Sequence, residues 1–129
     1  MTRPQIPEDI IRFILLSIPS VPHLEAMLLL RREHSVQWDS KRVAQRLYMS
    51  EKAAHGLLTD LHAAGFLAQE DGEPPLYRYH PGTEGIREMI DRLADVYAKN
   101  LIDVSNLIHS KNSKKAQQFA DAFIWRKDS

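Results

Sequence analysis

Apolar residues recur along this chain with two different periods, and the order of those periods predicts its elements. Ile10, Phe13, Ile14 and Leu16–Ile18 form a wide apolar face at helical spacing. Pro7, Glu8 and Asp9 stand just before it, proline in the first turn and acids at the positive end of the helix dipole. Pro19 and Pro22 end this helix and open another, with Ser20 as its cap. Leu24, Met27, Leu28 and Leu30 predict the second helix over His23–Glu33, with Arg31 and Arg32 near its negative end. Ser35–Trp38 links onward, and Trp38 reads as core or as a pin for the loop. Asp39 or Ser40 caps a short helix to about Leu47 that turns Val43, Ala44 and Leu47 inward. Tyr48-Met49 is a turn, Ser50 caps the next helix, Leu57, Leu58 and Leu61 form its stripe, and Gly65 ends it. Phe66–Gln69 and Leu76–Tyr79 then read as short strands around the loop Glu70–Pro75, where Asp71-Gly72 supplies the turn.

After a break at His80-Pro81-Gly82, Thr83 caps a long helix. Ile86, Ile90, Leu93, Tyr97, Leu101, Val104 and Ile108 follow with spacings 4,3,4,4,3,4, a heptad-like seam with one extra residue. Met89, Val96, Ile102 and Leu107 widen it. Such a seam runs about seven turns, more than a domain this small covers with its own chain, so a homodimer through these seven positions is expected. Ser110–Ser113 interrupts, and Lys114–Arg126 is a candidate final helix. The whole reads as mostly α with a small β-hairpin.

Composition narrows the function. The 129 residues amount to about one domain. Cysteine is absent, which excludes disulfides and thiolate metal sites and fits a cytoplasmic location. No apolar run reaches the roughly 20 residues of a membrane span. The acids ahead of the first apolar stretch mark it as a helix of the mature protein, not a signal peptide. Seventeen basic side chains balance seventeen acidic ones, where a freestanding DNA binder is usually basic.

The segments VAQRLYMSEKAAHGLLTDLHAAGFL and AQEDGEPPLYRY, roughly a third of the chain, resemble the winged helix-turn-helix transcriptional regulators, broadly of the MarR and PadR kind. The tail IHSKNSKKAQQFADAFIWRKD is similar to that of small bacterial winged-helix proteins. The resemblance divides the chain into a winged-helix domain with N-terminal helices (1–82), a long dimerisation helix (83–110) and a basic, aromatic tail (111–129). It implies that the motif's second helix enters the major groove of double-stranded DNA. Ser50, Glu51, Lys52, His55 and Thr59 are then the candidate base-reading positions, and Lys41, Arg42 and Arg46 the phosphate contacts. Charge departs from that pattern. Over Asp39–His80 five basic residues meet six acidic ones, and Glu70, Asp71 and Glu73 crowd the wing tip. The alternative is a winged-helix module that binds protein.

Other features weigh less. Residues 111–129 carry a net charge of +3, with Phe119, Phe123 and Trp125 either docking on a partner or folding back onto the dimer. His55, Thr59 and His62 share a helix face, but His55 and His62 lie two turns apart, without the spacing of a zinc pair, so neither metal nor cofactor is expected. No nucleophile elbow, phosphate loop or acid–base pair marks an enzyme. Tyr48, Tyr77 and Tyr97 are candidates to line an apolar ligand pocket, or simply to pack in the core.

Overall fold

A computed structural model describes residues 6–111. Its elements are α1 (Glu8–Ser17), α2 (Val21–Arg32), α3 (Ser40–Leu47), α4 (Glu51–Ala63), β1 (Leu67–Glu70), β2 (Leu76–Tyr79) and α5 (Glu84–Lys99). A further helix, α6, covers residues 101–111. The basic, aromatic segment with Phe119, Phe123 and Trp125 lies outside the described residues.

Four helix starts that the sequence marks as caps close as caps. Ser20, Asp39, Ser50 and Thr83 sit in extended backbone, and their side chains accept hydrogen bonds from the backbone N–H of His23, Arg42, Ala53 and Ile86. Each satisfies a donor that the helix leaves without a partner, an arrangement whose loss typically costs about 1 kcal/mol. α2 begins two residues earlier than the apolar spacing indicates, because Pro22 is tolerated in a first turn, where its missing N–H is not needed. α1 and α2 meet at 105° across the break at Pro19, and no single helix among the described residues is long and apolar enough to cross a membrane.

The hairpin is antiparallel, pairing Leu67 with Tyr79 and Glu70 with Leu76. Trp38 adds a one-residue third strand: its N–H donates to the Tyr77 carbonyl and the Tyr77 N–H donates back, both at 2.7 Å. Trp38 is fully buried and so both fills the core and pins the loop. Gly65 carries the chain from α4 into β1 at φ 88°, a left-handed angle that other residues adopt at a cost. The Gly82 N–H donates to the Gly65 carbonyl at 2.8 Å and closes the base of the hairpin.

The expected continuous helix from Thr83 to about residue 110 is two helices. Asn100 breaks it at φ −136° and ψ 49°. Its backbone N–H and its side-chain Nδ2 both donate to the Val96 carbonyl, and its own carbonyl accepts from Val104 N–H at the start of α6. The break falls where the heptad spacing carries its extra residue. Leu101 drops out of the apolar face and is 54% exposed, while Val104 and Ile108 return to it fully buried. The seam packs inside the chain itself. Ile90, Leu93, Tyr97, Val104 and Ile108 are buried in one core with Ile10, Ile14 and Ile18 of the α1 region, and Ile86 packs against it half-buried. α1 packs against α5 over this face.

Polar contacts fix the same arrangement. Arg92 of α5 holds the Asp9 carboxylate of α1 with two guanidinium nitrogens, and Arg31 of α2 donates to Asp91 of α5 at 3.0 Å. Helical periodicity alone reads Asp91 and Arg92 as solvated surface. The Tyr97 hydroxyl donates to Glu25 of α2 at 2.6 Å. Burial first, and then this carboxylate, push the phenol from its usual 10.0 up to about 12. Because the folded state favours the neutral phenol, that stabilisation is complete below pH 10 and lost as pH rises towards 12. Denaturant unfolding in this alkaline window should show stability falling with pH, and Tyr97→Phe should fall less steeply.

Candidate nucleic-acid interface

α2, α3 and α4 form a three-helix cluster backed by the hairpin, and α3 and α4 join through the tight turn Tyr48-Met49. Tyr48 stands at the C-terminal end of α3 with φ 56°, left-handed although it is not glycine, and the residue is 95% exposed. Met49 N–H donates to the Ala44 carbonyl and closes the turn. Ala54, Leu57, Leu58 and Leu61 bury one side of α4, which leaves Glu51, Lys52 and His55 exposed on the other, with Ser50 exposed at its cap. Thr59 is spent within the helix: its hydroxyl donates to the carbonyls of His55 and Gly56. The opposite end of α4 is tied to α2, where His23 bridges Ser20 Oγ at 2.6 Å and Asp60 Oδ2 at 2.8 Å.

The three basic residues of α3 are all exposed but not equivalent. Lys41 and Arg42 make no ion pair among the described residues. Arg46 is bidentate to Glu33, at 2.6 and 3.2 Å. That bond holds the Glu33 carboxyl below and the Arg46 guanidinium above their ordinary ranges. Arg42 and Arg46 also lie over the Trp38 ring, at 5.4 and 5.5 Å from its centroid. Arg46 thus has a structural partner, and a phosphate would have to compete with Glu33 for it.

The wing tip, Asp71 to Pro74, is exposed. Glu70 is engaged by Gln37 Nε2 at 2.8 Å, which leaves Asp71 and Glu73 as the outermost charges. The three tyrosines proposed for an apolar pocket do not converge. Tyr48 is at the α3–α4 turn in solvent, Tyr77 is core beneath the hairpin with His62 edge-on to it, and Tyr97 is bonded to Glu25.

Three helices followed by a β-hairpin, with a short third strand at Trp38, define a winged-helix fold. By sequence, neither a family model nor a curated protein matches the chain. Among solved structures the chain is similar to Sco5413, a MarR family transcriptional regulator from Streptomyces coelicolor, with a TM-score of 0.56 and 17% identity over 93% of this chain and 81% of that one. It is also similar to the adhesin competence repressor AdcR of Streptococcus pyogenes, with a TM-score of 0.49 and 14% identity over 95% of each chain. The likeness to Sco5413 spans most of the chain, so the fold it shows takes in the flanking helices as well as the motif.

Proposed function

We propose that this protein is a DNA-binding transcriptional regulator of the cytoplasm that acts as a homodimer. The observation that carries the reading is the exposed start of α4, which carries Ser50, Lys52 and His55, with Lys41 and Arg42 also exposed on α3, the helix packed against it. In a winged helix that edge is the one that meets the major groove, its early residues reaching base edges while the preceding helix holds phosphates. Lys41, Arg42 and Lys52 are the main cationic contacts in this reading, and Arg46 is secondary because Glu33 already holds it. A homodimer supplies a second copy of this small basic edge, which a chain of zero net charge needs. Leu101 and Ile102, 54% and 70% exposed on α6, are the exposed large apolar residues of the C-terminal helices among the described residues, and they supply that contact in this reading.

The acidic wing favours a second reading, a winged-helix module that docks on a basic protein surface through Asp71 and Glu73. Fluorescence anisotropy with a labelled mixed-sequence duplex separates the two. Under the DNA reading, Lys41→Ala with Lys52→Ala lowers affinity by about tenfold and flattens the salt dependence. Arg46→Ala has the smaller effect. If Arg46→Ala were the more damaging change, the α3–α4 edge would not be the contact.

A further inference from the structure

At the base of the wing, where β2 meets the end of α2 and the start of α5, lies a cleft of about 510 Å³. This is well within the range of small-molecule sites. Its walls carry four guanidinium groups, Arg31, Arg32, Arg78 and Arg87, against one carboxylate, Asp91, together with two histidines. Asp91 is bonded to Arg31 at 3.0 Å. Arg87 has only a long contact to Glu84, at 3.8 Å, and lies over the Tyr79 ring. Arg32 and Arg78 are in no ion pair among the described residues.

Tyr79 also lines the cleft and is 8% exposed. Its hydroxyl is buried, with the Arg31 guanidinium as its polar neighbour but no partner in full hydrogen-bond geometry among the described residues. A buried hydroxyl without a partner is costly, and so is a group of like charges gathered in a concave space. A single occupant would relieve both. It must be anionic, to answer the arginines. It must bear several acceptor oxygens, since guanidinium forks recognise oxyanions in pairs and the phenol has a proton to donate. It must also be small. The polar, cationic walls do not suit the apolar ligand that three tyrosines suggest from sequence.

We propose that this cleft binds a small phosphate-bearing anion, held between Arg32, Arg78 and Arg87 with the Tyr79 hydroxyl as a donor. The ligand would bridge three elements, α2, the wing strand β2 and α5, and so brace the wing against the helices behind it. This site does not depend on whether α4 reads DNA.

Calorimetric titration of the full chain with pyrophosphate tests it, without DNA and at an ionic strength held constant with sodium chloride. One saturable site per chain is expected, with a dissociation constant below about 1 mM. Arg32→Glu with Arg78→Glu should weaken it by at least about tenfold. Tyr79→Phe should weaken it by about threefold, because it removes one donor to the anion and leaves the arginines in place. If the double reversal does not fold, Arg78→Gln and the shift of the Tyr79 ring resonances on adding pyrophosphate to the unmodified protein carry the same test. No saturable binding, or equal binding by the variants, overturns the proposal. If duplex DNA displaces pyrophosphate and Arg78→Gln weakens both to the same degree, the cleft is a DNA-backbone contact and the small-ligand assignment is overturned.

Discussion

Leu93→Asp is expected to unfold the protein, while Ile102→Asp leaves it folded and removes the proposed self-association. Both positions belong to the apolar pattern of the C-terminal helical region, and periodicity alone does not tell them apart. Leu93 is fully buried on α5, which packs against α1. Removing a buried leucine side chain costs about 2–5 kcal/mol. A carboxylate left there has no partner and adds several kcal/mol or must take up a proton. Together these approach the 5–15 kcal/mol by which a typical domain is stable. Ile102 is 70% exposed, so an aspartate there stays in water. Circular dichroism melts and sedimentation should therefore show loss of the cooperative transition for Leu93→Asp, and a folded monomer for Ile102→Asp. A folded monomer from Leu93→Asp would mean that this seam faces outward after all.

The second large effect concerns charge at the proposed interface, and its two halves have opposite signs. Lys41→Glu with Lys52→Glu should reduce DNA affinity by about a hundredfold at low salt, because each change both removes a cation and adds an anion beside phosphate. Asp71→Lys with Glu73→Lys should raise affinity by about tenfold and steepen the salt dependence, since the wing tip then attracts the backbone it now repels. Neither pair touches the core, for all four residues are exposed. If the wing reversal left DNA binding unchanged, the hairpin would lie away from the duplex, and the protein-docking reading would gain the wing as its working surface.

Much of the fold is legible in the sequence because its signals are local. A serine, threonine or aspartate at a helix start needs only the backbone N–H three residues later, so Ser20, Asp39, Ser50 and Thr83 announce the helices without reference to the rest of the chain. Gly65 is similar, since its left-handed angle follows from the chain's need to leave α4. The C-terminal seam is different. Its spacing shows which side chains share a face, not what covers that face, and here the cover is α1, some eighty residues away in sequence. Asn100 is neither glycine nor proline, and the trace of the break in the sequence is the extra residue in the spacing.

The candidate site divides along the same line. Exposure of Lys52 and His55 follows from helical periodicity. The capture of Arg46 by Glu33 joins α3 to the end of α2 and needs tertiary structure. So does the cleft at the wing base. Arg31 and Arg32 read locally as cations that complement a helix dipole, and Arg78 and Arg87 as an exposed strand residue and a surface helix residue. Only the packing of α2, β2 and α5 puts them around one space.

The central claim, that the α3–α4 edge meets DNA, is tested most directly by the salt dependence of duplex binding by the full chain. Three principal phosphate contacts per motif, Lys41, Arg42 and Lys52, predict a slope of log affinity against log salt of roughly −3 for one motif and roughly −5 for two. Measurable binding of mixed-sequence duplex at low salt, weakening with a slope in that range, is the expected result. No binding at low salt, or binding indifferent to salt, would contradict it.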